Sequence, residues 1–227
     1  MEVSGVVLAA GRAERFGGAA NKVWSEVAGR PLLHHALGAL WSSGLLDELV
    51  VVLRPEESAH VDKLSDELEL PLRCAVGGAR RQDSARSGVE AAAGVYVLVH
   101  DGARPVVEPR MVEAVLEAAR RHGAAVPTVP VVDTMRYLDQ EGFLRAEGPA
   151  RGGLVHIQTP QGFRREVLLE AYKAAAGHAS SLSDDAAAVL LNGHPVATVP
   201  GDPLNLKVTQ WTDLESVRCL VERTPHR

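Results

Sequence analysis

Short runs of Val and Leu recur along this chain between longer stretches rich in Ala, Leu, Glu and Arg, and that alternation constrains the fold more than any other feature. An apolar run of five to seven residues is too short for a buried helix and fits a strand covered on both faces. The runs at 3–9, 48–53, 72–76, 95–100, 124–130 and 195–199 are the expected strands. Helical periodicity fills 32–41, 56–68, 84–93, 109–122, 164–176, 183–191 and 211–222. Strands alternating with helices give an α/β fold, with a mostly parallel sheet and helices on both faces. No repeat, low-complexity tract or linker interrupts the pattern, so residues 1–227 read as one domain. One segment departs from it. Residues 133–157 carry Gly142, Gly148, Pro149, Gly152 and Gly153 with no helical period, which predicts an inserted β-arm or hairpin. An arm of that size buries little of itself and packs on a partner or moves, so a homodimer through the arm is expected.

Composition narrows the function classes. The chain of 227 residues has 24 Lys+Arg against 29 Asp+Glu, a formal charge of −5, and 46% hydrophobic residues. An acidic total argues against a nucleic-acid or membrane surface, so any anionic ligand must meet local positive charge. Only four of the basic residues are lysines, Lys22, Lys63, Lys173 and Lys207. The two cysteines, Cys74 and Cys219, stand alone, without disulfide or zinc spacing. The N-terminus has no basic leader, and no apolar run approaches the ~20 residues of a membrane span. A cytoplasmic protein is expected.

Chemistry-bearing residues cluster where strands end. After the first strand, Ala9-Ala10-Gly11 leads into Arg15, Gly17, Gly18 and Lys22. Glycines let backbone N–H groups approach an anion, and Arg15 and Lys22 supply charge-assisted bonds to phosphate. The spacing matches neither the dinucleotide fingerprint nor a P-loop, and a plain Gly-rich turn remains open on these residues alone. After the fourth strand come His100, Asp101, Ala103, Arg104 and Pro105. An acid there points into the ligand crevice of an open sheet and can share Mg²⁺ with substrate phosphates, or it caps a turn. Gly77-Gly78 with Arg81 and Ser84 reads as a phosphate or base contact, or as a helix start capped by Asp83 or Ser84. The histidines have no metal-ligand spacing, and no Gly-x-Ser-x-Gly elbow appears.

Taken in order, Ala9-Ala10-Gly11-x-x-x-Arg15 with Lys22, Gly77-Gly78-x-x-Arg81-x-x-Ser84, His100-Asp101-x-Ala103-Arg104-Pro105, Asp133-Thr134, Thr159-Pro160-Gln161, Ser183-Asp184-Asp185 and Asn205-x-Lys207-Val208-Thr209 span the chain. The series resembles the 2-C-methyl-D-erythritol 4-phosphate cytidylyltransferases. That resemblance implies a Rossmann-like sheet, a homodimer whose arm reaches over its neighbour, and CTP and a polyol phosphate as substrates, with Mg²⁺ or another divalent cation. It implies catalytic roles for Arg15, Lys22 and Lys207, and a nucleotide pocket from Ala9, Ala10, Gly11, Gly78, Ser84, Asp101 and Ala103. Asp101 is the implied metal ligand. Thr134 and Arg151 of the arm would hold the polyol phosphate in the partner's site, with Arg104, Thr159, Ser183 and Asp184 on the same side. The chain departs from the usual pattern in reading Asn21-Lys22 instead of Pro-Lys, and in Ala79 and Leu204 where relatives carry acids; Asp202 is the candidate to replace the latter. A cytidylyltransferase for another polyol phosphate such as ribitol 5-phosphate, and a non-catalytic nucleotide-binding regulator, stay open at this point. The length also implies a chain without the fused cyclodiphosphate synthase domain of some relatives.

Overall fold

The computed structural model describes residues 1–11, 21–150, 152–175 and 182–223. In chain order the elements are β1 (Val3–Leu8), β2 (Glu26–Val27), β3 (Arg30–Pro31), α1 (Leu32–Trp41), β4 (Glu48–Leu53), α2 (Val61–Leu68), β5 (Leu72–Val76), α3 (Arg81–Ala91), β6 (Tyr96–Asp101) and α4 (Pro109–His122). They continue as β7 (Ala124–Pro130), β8 (Val155–Ile157), β9 (Gln161–Arg164), α5 (Arg165–Ala175), α6 (Asp185–Leu191), β10 (Ala197–Pro200) and α7 (Trp211–Arg223).

The main sheet runs β10-β7-β9-β6-β1-β4-β5, with β8 on the side of β7. Strands β6, β1, β4 and β5 pair in parallel, as do β10 and β7. Besides the short pair β2 and β3, the sequence reading missed β9. It lies antiparallel between β6 and β7 and joins the two parallel halves. Its four residues give no local signal, since Gln161 and Gly162 are buried only through that pairing. An added Cβ at Gly162 would stand 2.7 Å from Val115 Cγ1, so α4 packs directly on its backbone.

Alternate residues of each strand feed different layers, as the two-residue pleat requires. Val7, Leu49, Val51 and Leu98 pack on one face with Leu33, Leu37, Val112 and Leu116 of α1 and α4. Val6, Val50, Val52, Val97 and Val99 pack on the other with Val89, Leu168 and Val189 of α3, α5 and α6. A third cluster holds α7: Leu214, Val217 and Val221 bury Val208, Val27 and Leu32. It fixes the extended stretch 205–209, which joins no sheet. No described helix is long and apolar enough to cross a membrane.

Other boundaries move for identifiable reasons. α3 begins at Arg81 rather than 84, because Asp83 at the third helical position reaches back to the Arg80 N–H at 3.2 Å and to its guanidinium at 2.9 Å. Neither Asp83 nor Ser84 is the N-cap. Residues 55–60 form a 3₁₀ turn before α2 rather than helix from 56. The arm lies within 131–154. Its base strand β8 belongs to the sheet, pairing Ile157 with Thr128. The arm folds back around Asp139, whose Oδ1 accepts from the N–H groups of Glu141 and Phe143, and Leu138 bridges Leu144.

Candidate active site

A cleft of about 450 Å³ opens at the carboxyl ends of β1 and β6, where the chain reverses its direction of travel across the sheet. Its lining includes Ala9, Ala10, Gly11, Lys22, Gly78, Arg81, Ser84, Asp101, Ala103 and Lys207. A second hollow of about 380 Å³ contains Arg104, Thr159, Ser183 and Asp184. The two share Arg81, Asp101 and Lys207. The expected catalytic lysines and the whole expected nucleotide pocket, with Arg104, Thr159, Ser183 and Asp184 beside them, therefore gather around one border. Thr134 lines neither part. Arg15 and Arg151 lie outside the described residues.

Asp101 sits at the centre. Lys207 Nζ donates to its Oδ2 at 2.6 Å, Arg104 Nε lies 3.8 Å from the same oxygen, and Arg81 Nη2 is 3.7 Å from Oδ1. Burial would raise the pKa of this carboxyl, but the charges of Lys207, Arg81 and Arg104 outweigh it and hold it well below the usual carboxylate range. Its backbone is braced from behind. The Asp101 N–H donates to Thr159 Oγ1 at 3.1 Å, and that hydroxyl meets His100 Nδ1 at 3.0 Å. His100 Nε2 lies 2.9 Å from the Arg104 carbonyl, so Nε2 carries the proton and Nδ1 accepts from Thr159. Burial pushes the His100 pKa down to about 4, which keeps the ring neutral. His100 is thus a core residue that clips the turn bearing Asp101 and Arg104. Much of Thr159's hydrogen-bonding capacity is likewise spent inside the fold.

The two lysines arrive from opposite ends of the chain. Lys22, on a 3₁₀ turn (Lys22–Trp24), sends its Nζ across the cleft to the Val208 carbonyl at 2.6 Å, next to Lys207. Arg104 Nη1 donates to the Asn205 carbonyl at 2.6 Å, and Asn205 Nδ2 donates to the Thr159 carbonyl. The Asn205-x-Lys207-Val208 stretch is therefore tied to the Asp101 turn at several points, with the Val208 N–H also bonded to the Ala103 carbonyl.

Two residues have a larger part in the site than the sequence reading gave them. Arg81 lines both parts of the site and is gripped in bidentate fashion by Asp185 at 3.0 and 2.8 Å. Asp185 is 1% exposed and also accepts from Tyr172 Oη at 2.7 Å. Burial disfavours the Arg81 charge, but Asp185 and Asp101 raise its pKa overall. The signal was present in the Gly-Gly-x-x-Arg-x-x-Ser and Ser-Asp-Asp spacings, but the first acid drew the assignment. Asp184 caps α6 through the Ala187 N–H, while Asp185 points inward.

On the glycine side, Ser84 Oγ accepts from the Gly78 N–H at 3.0 Å. A Cβ on Gly77 would collide with Ala10, so this approach of two loops needs glycine. Among the described residues, Asp101 is the sole carboxylate lining the cleft, and no group of three or more His, Cys, Asp or Glu is arranged to hold a metal. Such a donor set fits a divalent cation that takes most of its ligands from phosphate oxygens and water. Asp202 does not join it: its Oδ1 accepts from the Leu204 N–H, its Oδ2 lies 3.7 Å from Arg110, and it lines neither part of the site.

Comparison with known proteins identifies the family. The family model described as 2-C-methyl-D-erythritol 4-phosphate cytidylyltransferase matches residues 3–223. A bifunctional enzyme IspD/IspF of Anaeromyxobacter sp. (strain Fw109-5) is 41% identical over 223 residues, which cover 97% of this chain and 57% of that protein. The chain thus spans a little over half the length of such bifunctional relatives. A 2-C-methyl-D-erythritol 4-phosphate cytidylyltransferase of Frankia casuarinae is 39% identical over 97% of this chain and 82% of its own. The crystal structure of the enzyme of that name from Thermus thermophilus superposes with a TM-score of 0.83 at 38% identity, covering 98% of this chain and all of the other. The chain belongs to the 2-C-methyl-D-erythritol 4-phosphate cytidylyltransferase family.

Proposed function

We propose that the protein transfers the cytidylyl group of CTP to 2-C-methyl-D-erythritol 4-phosphate, forming 4-diphosphocytidyl-2-C-methyl-D-erythritol and pyrophosphate. The observation that carries this reading is that Lys22 crosses the cleft to the Val208 carbonyl beside Lys207, which itself stands at the border between the two pockets. CTP occupies the cleft beside Gly11, Gly78 and Ser84. The polyol phosphate occupies the hollow beside Arg104, Ser183 and Asp184, so its phosphate faces the α-phosphate of CTP across Asp101.

A phosphate oxygen of the polyol attacks the α-phosphorus, and the bond from that phosphorus to the β-phosphate oxygen breaks opposite to it. The nucleophile needs no general base, because a phosphate monoester with a second pKa near ~6 is already ionised at neutral pH. Catalysis then rests on holding the two phosphates in line and on meeting the charge that grows on the α-phosphate oxygens. Lys22 and Lys207 supply that charge, and Arg15 grips the triphosphate tail. Lys207 leaves Asp101 for phosphate when the nucleotide enters, while Arg81 stays anchored on Asp185. Asp101 would hold Mg²⁺ jointly with phosphate oxygens, and the ion would neutralise charge on the triphosphate.

The arm supports a homodimer in which Thr134 and Arg151 of each chain complete the other's polyol pocket. Its exposed Val132, Met135, Tyr137, Leu138, Phe143 and Leu144 form an apolar surface of the kind that another surface covers. The cysteines Cys74 and Cys219 are both free, in keeping with a cytoplasmic enzyme.

Pyrophosphate release from CTP tests the reading, with methylerythritol 4-phosphate and ribitol 5-phosphate compared as acceptors. Preference for methylerythritol phosphate is expected, and preference for ribitol phosphate overturns the acceptor. Replacing Lys22 by Ala should cost about 3–4 kcal/mol of transition-state stabilisation, the scale of losing one preorganised donor. Unchanged turnover would remove Lys22 from the chemistry.

A further inference from the structure

The acid Glu57 is 8% exposed, lines no part of the cleft, and has no role in the mechanism above. A buried carboxylate is costly unless hydrogen bonds replace its water, and the donors that do so here are informative. Trp24 Nε1 donates to Oε1 at 2.9 Å, and Asn21 Nδ2 donates to Oε2 at 3.1 Å. These residues flank Lys22 on its single 3₁₀ turn, within which the Trp24 N–H donates to the Asn21 carbonyl at 3.1 Å. The Arg54 N–H adds a third bond to Oε2 at 3.3 Å.

Arg54 itself reaches the other end of the glycine-rich stretch, donating from Nη2 to the Gly11 carbonyl at 2.8 Å. Asn21 Nδ2 also donates to the Ala9 carbonyl. Both ends of the segment between β1 and Lys22 are therefore held by the short connection 54–57 that follows β4. The two anchors share one hydrogen bond, from the Arg54 N–H to Glu57.

We propose that Glu57, with Arg54 beside it, is the positioning residue for Lys22: it fixes the turn from which the lysine crosses the cleft to the α-phosphate. The proposal rests on the reading of Lys22 given above. Glu57 touches no substrate, and its effect passes through Asn21 and Trp24. Asn21 has an extended backbone, φ −73° and ψ 121°, and this φ is one that a proline ring imposes by itself. Here side-chain hydrogen bonds to Glu57 and Ala9 maintain that conformation instead. The dependence on Glu57 should therefore weaken when Asn21 is replaced by Pro.

The experiment is a four-protein cycle in the pyrophosphate-release assay: wild type, Glu57→Gln, Lys22→Ala and the double variant. The amide keeps the size of Glu57 but turns its NH2 group either toward the donors of Asn21 and Arg54 or, flipped, toward that of Trp24. We expect kcat to fall about tenfold with KM for CTP changed less than about threefold, since misplacement by fractions of an ångström acts on the transition state. On the Lys22→Ala background the same substitution should cause no further loss. Equal losses in both backgrounds, a loss carried by KM, or an unchanged kcat each overturn the proposal. Asn21→Pro should restore most of the rate lost in Glu57→Gln. If Glu57→Gln does not fold, Trp24→Phe removes one donor, keeps the ring and runs through the same cycle. If the wild type binds CTP but forms no product, the proposed function fails on its own. The clamp is then read from CTP affinity over the same four proteins, where additive losses overturn it.

Discussion

The cleft and the arm are built on opposite principles. Around the cleft, the charged groups are held from behind: Arg81 by Asp185, Asp101 by Thr159 and His100, Arg104 by Asn205. In the arm, every residue from 132 to 147 is exposed, and backbone hydrogen bonds link near neighbours around Asp139. In the proposed reaction two phosphates are placed in line, which needs charges whose positions are fixed before the substrates arrive. Among the described residues of the arm no buried charge is held in this way, and its large apolar side chains are exposed. The contrast implies that substitutions behind the cleft cost folding stability and activity together, while substitutions on the arm cost neither within a single chain.

The strongest way to break the contrast is to remove the support under Arg81. Asp185→Ala leaves a partly buried guanidinium without its bidentate partner and the Tyr172 hydroxyl without an acceptor. Breaking a buried pair from one side costs about 3–5 kcal/mol, and Arg81, whose side chain is 30% exposed, puts the expected loss near the lower figure. Denaturant unfolding measures it. A loss below about 1 kcal/mol, the range of an exposed ion pair, would make the cleft no better anchored than the surface.

These supports were unevenly legible in the sequence. Charged residues at strand ends were readable, because an apolar run that stops at His100-Asp101 or at Ala9-Ala10-Gly11 has to reach the sheet edge there. Choosing between Asp184 and Asp185 requires the phase of α6, which starts at the second acid with the first as its cap. Neighbouring residues of like chemistry give no clue to that phase. Glu57 falls at the start of the helix expected over 56–68, where nothing local marks it as buried. It is buried only because Asn21 and Trp24, over thirty positions earlier, fold onto it. Strand β9 was missed for the same reason, since its burial comes from two neighbours that are distant in sequence. Local pattern identifies which residues can do chemistry, and long-range contacts decide which of them are positioned to do it.

A smaller effect comes from His100, and it sharpens the contrast because the arm has no comparable buried base. Its folded pKa of about 4 lies below the ordinary value near 6.5, so the unfolded chain binds the proton first as pH falls. Its contribution to stability is fully present above about 6.5 and declines as pH drops toward 4. Between pH 7 and pH 5 this amounts to about 2 kcal/mol, at ~1.4 kcal/mol per pH unit for one proton. Unfolding curves across that range should show this slope in the wild type and lose it in His100→Asn. A variant that keeps the slope would assign it to other groups.

The smallest effect on folding is expected from the arm, and it is the most informative about assembly. Phe143 and Leu144 are 68% and 73% exposed, so replacing both by Ser removes little packing within one chain. At concentrations low enough for wild type and variant to be monomeric, their unfolding free energies should agree within about 0.5 kcal/mol, the usual range for surface substitutions. Association is a different matter. Each of these side chains contributes up to about 1.5–3 kcal/mol if a second copy covers it fully, enough to shift a dimer with micromolar affinity to a monomer. Sedimentation of both proteins at tens of micromolar should therefore give a dimer for the wild type and a monomer for the variant. A wild type that sediments as a monomer leaves Thr134 and Arg151 without a partner site to complete. A variant that stays dimeric moves the interface away from the arm tip, and the polyol pocket would then have to close from within one chain.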